Sequence, residues 1–170
     1  MIFLLILVSV FLLDLMLKKY MEQKLPEGEK KEICGGKIIL RKLHNKGVAF
    51  GAFRDYPNLV ERGTLGVLAA TGVYFLYLLT KKGRNLQKTG ISLVLGGGLC
   101  NWFDRFHQGY VSDYFSFSVK WKRLKDIVFN LSDLFIFLGV IMSLLGSGGK
   151  RKKPVSDRGF RSNRTSCAKN

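Results

Sequence analysis

The sequence predicts a mainly α membrane protein: four transmembrane helices with a small extracytoplasmic β-rich cradle. Apolar residues fill 47% of 170 positions, yet the formal net charge is +16 and the mean hydropathy is +0.10. That combination is odd for a soluble core and natural for apolar spans with basic flanks. The charge clusters beside apolar stretches, as in Lys81-Lys82-Gly83-Arg84 and Lys150-Arg151-Lys152-Lys153, where it would orient the chain and meet anionic lipid. Carboxylates are sparse within the apolar stretches and lie where those stretches meet polar loops. A carboxylate near hydrocarbon is costly, so an ionisable residue there is a functional hypothesis by default.

The elements follow in order. Met1 to Leu17 is apolar except for Ser9 and Asp14. It has no basic leader and no small-x-small cleavage site, so a retained first span is expected rather than a signal peptide. Asp14 lies in its last turn. Lys37 to His44 alternates in short period, Asn45-Lys46-Gly47 supplies a turn, and Val48 to Phe53 follows; this reads as a strand-rich element with a glycine-bearing hairpin or bulge. Asp55-Tyr56-Pro57 resembles a helix start with Asp55 near the N-cap, and a short interfacial helix is expected to lead into the second span. Thr64 to Thr80, at about 17 residues, is at the lower limit for crossing a bilayer. Ile91 to Phe106 is the third span, interrupted by Asn101, Asp104 and Arg105. Val128 to Leu145 is the fourth, interrupted by Asn130 and Asp133. Gly96-Gly97-Gly98 in the third span, and Gly66, Ala69, Ala70 and Gly72 in the second, would let helices approach closely.

Residues 1–145 thus form one four-span domain, with an outer β-rich insertion at about 33–55. Residues 146–170 form a basic tail, expected to be disordered and cytoplasmic. Four spans put both termini on one side. The Lys81–Lys88 loop and the tail share that side, which the excess of Lys and Arg makes cytoplasmic. Asp14, the strand element, Asp104, Asp113 and Asp133 then all fall at the outer face.

Cys34, Cys100 and Cys167 are scattered and odd in number, and His44 and His107 stand alone. No disulfide framework, zinc spacing or other metal site can be built from them, so no metal or cofactor is expected. Basic charge also suits nucleic acid, but its placement beside apolar segments argues for lipid instead. HExxH and GxSxG are absent, which removes zinc and serine protease chemistries.

What remains is carboxylate chemistry. Asp113, in Gly109-Tyr-Val-Ser-Asp113-Tyr, and Asp133, in Phe129-Asn130-Leu-Ser-Asp133, share a membrane level. If they approach closely they cannot both ionise cheaply and must share a proton. The ionised member can take a proton from an attacking water while the protonated member polarises a peptide carbonyl. That is the logic of an aspartyl protease. Asn101, Asp104 and Arg105 share a helix face at i, i+3 and i+4, and Asn130 and Asp133 share one at i and i+3. An amide beside a carboxylate can orient it, or a water or carbonyl, without adding charge. Simpler readings stand beside these: an interfacial loop carboxylate for Asp113, a helix-dipole partner for Asp133, turn chemistry for Asn45 and a structural Asp104–Arg105.

Together these motifs resemble the lipoprotein signal peptidase (signal peptidase II) family from about Phe11 to Leu145. The resemblance rests on Asp14 to Lys18, on Asn45-Lys-Gly-Val-Ala-Phe-Gly51, on Asn101-Trp-Phe-Asp104-Arg105 with the Asp113 motif, and on the Asp133 motif. It implies a bacterial cytoplasmic-membrane aspartic endopeptidase that cleaves diacylglyceryl-modified prolipoproteins before the lipidated cysteine. Asp113 and Asp133 match the catalytic pair. Asp14, Asn45, Asn101, Asp104, Arg105 and Asn130 match positions that line or brace the site. It also implies globomycin-like inhibitors, and a monomer is expected. Cys100 stands where the family usually has Gly, Ser132 where it has Ala, Leu134 where it has a small polar residue, and Ser112-Asp113-Tyr114 replaces the common Val-Asp-Phe. The alternatives are a catalytically divergent paralogue acting as a membrane adaptor or substrate-holding protein, and a small proton-coupled carrier. A carrier should show inverted repeats or broken helices at mid-membrane, whereas this chain gathers its carboxylates toward one face.

Overall fold

The computed structural model describes residues 1–48, 52–118 and 127–148. Ala49, Phe50 and Gly51 of the expected Val48–Phe53 strand, and the basic tail from residue 149, lie outside them. The elements are α1 (Ile2–Lys24), β1 (Lys30–Ile33), β2 (Ile38–Asn45), α2 (Pro57–Leu79), α3 (Asn85–Gln108), β3 (Val111–Phe117) and α4 (Leu131–Ser147).

The helices outrun their apolar stretches. Past Leu17, α1 continues through Lys24, over residues of good helix propensity whose inward members find partners: Lys18 on α3, and Glu22 on Lys42 and His44. Pro57 opens α2 in its first turn, where its missing N–H costs nothing. Tyr56 is the N-cap without a side-chain cap bond, so Asp55 does not cap it, and the expected interfacial segment is simply the first turns of α2. Gly109 ends α3 in the left-handed region (φ 78°), with its N–H on the Arg105 carbonyl, which is where glycine carries no Cβ penalty. The chain turns there directly into β3.

The sheet is antiparallel in the order β1-β2-β3, and it revises the expected cradle. Its hairpin lies at Cys34-Gly35-Gly36, all three with positive φ, rather than at Asn45-Lys46-Gly47, which closes β2 instead. Its third strand comes from beyond α3, outside the 33–55 insertion. In β3, Val111, Ser112, Asp113 and Tyr114 are all buried, so the strand is covered on both faces and lacks a clean polar–apolar alternation. It pairs with β2 from Asn45↔Val111 to Ile38↔Phe117, with a register shift between Leu40 and Leu43.

Helix α3 is central. An added Cβ at Gly96 would lie 2.6 Å from the Leu7 carbonyl of α1, at Gly97 2.8 Å from the Ser132 carbonyl of α4, and at Gly98 2.7 Å from the Leu68 side chain of α2. Successive residues turn by about 100°, so three consecutive glycines admit three different helices. Gly90 and Gly139 make a further crossing, where a Cβ on either would meet the other's carbonyl at 2.5 Å. The second-span glycines behave otherwise: nothing lies within 4 Å of a Cβ at Gly66 or Gly72, so they do not mediate close packing. Gly97→Ala is therefore expected to cost about 1–3 kcal/mol by overpacking, and Gly72→Ala to stay within about 0.5 kcal/mol. Thermal unfolding in detergent measures both; equal stabilities would contradict this packing.

Polarity is inverted relative to a soluble protein. Val67, Val73 and Phe137 are 68%, 69% and 69% exposed, whereas Asp14 and Lys18 are 0% and 3% exposed. Apolar side chains outside and paired charges inside fit an apolar surround. Among the described residues one helix, Pro57–Leu79, is by itself long and apolar enough to cross a membrane, and Leu131–Ser147 is apolar but shorter. The expected count of four spans does not follow from length and apolarity. Helices α1 and α3 carry Lys18, Lys88, Asp104 and Arg105, which lower their hydropathy however they are turned.

Candidate active site

Helices α1 and α3 run parallel and α4 antiparallel to them, so the C-terminal halves of the first two meet the N-terminus of the third. Strand β3 closes the same end of the bundle. Asn130 is the N-cap of α4 in a capping box: its Oδ1 accepts from Asp133 N at 3.0 Å, and Asp133 Oδ2 accepts from Asn130 N at 3.1 Å. This satisfies two otherwise orphaned N–H groups, and it also holds the Asp133 carboxylate at the helix mouth. The helix-dipole reading of Asp133 is thus correct as far as it goes.

The same residue reaches the other carboxylate. Asn130 Nδ2 donates to Asp113 Oδ1 at 2.7 Å, and Asn45 Nδ2 donates to Asp113 Oδ2 at 3.0 Å. Asn45 also accepts from Gly47 N through Oδ1 at 3.0 Å, so its turn role and its site role coexist. On the far side Asn101 Nδ2 donates to Asp133 Oδ1 at 3.1 Å. Two carboxylates, from a strand and a helix start, are thereby gripped by three amides. Asp113 is 2% exposed; burial first, and then the charge of Asp133, pushes its carboxyl up to about 7.

Both face a cavity of about 340 Å³ that Asn45, Asn101, Arg105 and Asn130 line with Val48, Ile136 and Phe137. Arg105 directs its guanidinium to carbonyls, that of Gly47 at 2.7 Å and that of Asn101 at 3.3 Å, and so ties the Asn45 turn to α3. An apolar cavity of about 520 Å³ adjoins along α2 and shares Val48 and Ile136. No group of three or more metal-ligating side chains occurs among the described residues.

Asp14 and Asp104 do not touch Asp113 or Asp133. They lie behind the site and hold Lys18, at 2.9 and 2.8 Å. Asp14 also accepts from the hydroxyls of Tyr114 and Ser132, while the Tyr114 hydroxyl accepts from Leu131 N at 2.9 Å. Residues flanking each site aspartate thus converge on Asp14. Sequence reasoning did not single out Tyr114 or Ser132 for this role; the i, i+4 spacing of Asp14 and Lys18 was the one available signal. Glu22 was also missed: it binds Ser112 Oγ at 2.7 Å, His44 at 2.9 Å and Lys42 at 3.1 Å, and so pins the end of α1 to the sheet.

Against known proteins, residues 6–147 match the family model described as signal peptidase (SPase) II. The chain is 32% identical over 162 residues to a lipoprotein signal peptidase of Caldicellulosiruptor bescii, covering 91% of this chain and 100% of that one. It is 30% identical over 141 residues to that of Clostridioides difficile, covering 83% and 90%. Among solved structures it resembles a bacterial membrane enzyme with a TM-score of 0.73 at 22% identity, over 90% of this chain and 93% of the other.

Proposed function

The chain belongs to the signal peptidase II family, a family of proteases, and within it we propose a membrane aspartic endopeptidase that removes signal peptides from diacylglyceryl-modified prolipoproteins. The observation that carries the reading is that Asn130 bonds both Asp113 and Asp133 at the edge of one cavity. Asp133 is the ionised member: it sits at the positive end of α4, receives Asn130 N and Asn101 Nδ2, and is the less buried of the two. Asp113, with its raised affinity for a proton, is the acid. Water attacking the scissile carbonyl gives its proton to Asp133. Asp113 donates to the carbonyl oxygen, and a carboxyl proton then passes to the leaving amine. Asn45 and Asn130 orient the acid, Asn101 orients the base, and Arg105 fixes the Asn45 turn.

The adjoining apolar cavity suits a lipid chain joined to the cysteine after the cleaved bond. In this reading the protein crosses the bacterial cytoplasmic membrane four times as a monomer, with both termini cytoplasmic, the site outward and the basic tail near anionic lipid. α1 and α3 cross because their charges pair within the bundle, which lowers the cost of carrying them through hydrocarbon. Globomycin-like peptides would compete for the cavity.

Purified protein incubated with a diacylglyceryl-modified prolipoprotein should release the signal peptide by cleavage before the modified cysteine. Folded protein that binds but never cleaves, across several substrate sequences, would favour the adaptor reading instead.

A further inference from the structure

Each of the three site amides presents its NH2 to a carboxylate, and each has its oxygen held by a donor. A side-chain amide can turn over and exchange donor for acceptor with little change of shape, so whatever holds the oxygen decides what the carboxylate meets. For Asn45 the holder is Gly47 N, and for Asn130 it is Asp133 N. Both are main-chain groups. For Asn101 it is a side chain, the Lys18 ammonium, at 2.7 Å from Oδ1. An ammonium has donors only, so it admits only the amide oxygen, and the NH2 is left facing Asp133 Oδ1 at 3.1 Å.

Lys18 is itself held firmly. It is 3% exposed, donates to Asn101 at 2.7 Å and pairs with the carboxylates of Asp14 and Asp104 at 2.9 and 2.8 Å. Removing charges from water costs several kcal/mol per ion, and a well-packed apolar substitute is often as stable or more so; stability alone gives weak reason for three charges here. Tyr114 and Ser132 also donate to Asp14, and the Cys100 sulfur lies 3.7 Å from the Lys18 ammonium.

We propose that Lys18 is a positioning residue for the reaction: it locks the Asn101 amide so that its NH2 donates to Asp133, the carboxylate that takes the proton from water. Without Lys18 the Asn101 oxygen loses its donor and the Asp14 and Asp104 carboxylates, no longer occupied by the ammonium, compete with Asp133 for the NH2, so the base loses a fixed donor while substrate binding is untouched. The proposal rests on the Asp113–Asp133 reading above.

The test is steady-state cleavage of a diacylglyceryl-modified prolipoprotein by the full chain, comparing wild type, Asp133→Asn, Asn101→Leu, Lys18→Met and the Lys18→Met/Asn101→Leu double variant. Lys18→Met is expected to lower kcat by at least about tenfold and leave KM within about twofold. The double variant should be no slower than Asn101→Leu, because Lys18 acts through that amide. A normal kcat in Lys18→Met, a loss confined to KM, or losses that multiply in the double variant would overturn the proposal. Should Lys18→Met not fold, Lys18→Met/Asp104→Asn removes one charge of each sign and faces the same criteria. Cleavage by wild type that Asp133→Asn fails to abolish would instead overturn the underlying assignment of the pair, so the two failures are distinguishable.

Discussion

Asp113→Asn and Asp133→Asn are each expected to lower kcat by about 10³-fold or more, with KM little changed and the fold intact. The double variant should be no worse than either single one, since a base without its acid, or an acid without its base, already fails at the same step. Each amide keeps one carbonyl acceptor and sets its NH2 against the other donor, Asn45 or Asn130 at Asp113 and Asn101 or Asn130 N at Asp133, a mismatch of about 1–3 kcal/mol that lowers stability without abolishing the fold. The pair also predicts a pH dependence. Burial and the neighbouring charge raise Asp113 to about 7, so below that value it keeps the proton it must donate, and above it the proton is lost. Wild-type kcat should therefore fall as pH rises through about 7, the step belonging to the pair rather than to one residue. A kcat that stays level or climbs through neutral pH would contradict Asp113 as the acid.

The second large effect is expected at Asn130, the one residue among those described that bonds both carboxylates. Asn130→Ala removes the donor to Asp113 and the acceptor for Asp133 N. Loss of the cap should cost about 1 kcal/mol of stability, and the loosened pair about 10²-fold in kcat. Asn130→Ser separates the two roles. Serine caps a helix about as well as asparagine, but its short side chain cannot also reach Asp113. Stability should return toward wild type while kcat stays low. Recovery of both in Asn130→Ser would reduce Asn130 to a helix cap.

Much of this site is legible along the chain because it depends on local spacing. Asn130 and Asp133, three residues apart at the start of an apolar run, form both a capping box and half of the site. Asn101 and Asp104 lie on one face of α3, and both meet Lys18. Gly96-Gly97-Gly98 announces close packing, and the structure distributes it over three helices. The misreadings have one cause. Strand β3 pairs with β2 across the whole of α2 and α3, so neither its existence nor its delivery of Asp113 has a local signature. Asp55 looked like a cap by residue type, and Gly66 and Gly72 like packing positions; each depended on a neighbour that composition cannot name.

The motifs of the sequence resemble the signal peptidase II family; composition and period by themselves establish a helical, basic chain with carboxylates and amides gathered where its apolar runs end. These are properties of residue type and short-range period, set by helix geometry and the cost of burying charge. Tertiary structure alone decides that Asn130 joins the two aspartates, that Asp14 and Asp104 stand behind them, and that Lys18 dictates which end of Asn101 meets Asp133. Hydrogen bonds act over about 3 Å and distinguish donor from acceptor, so these choices exist only once α1, α3, β3 and α4 are in register.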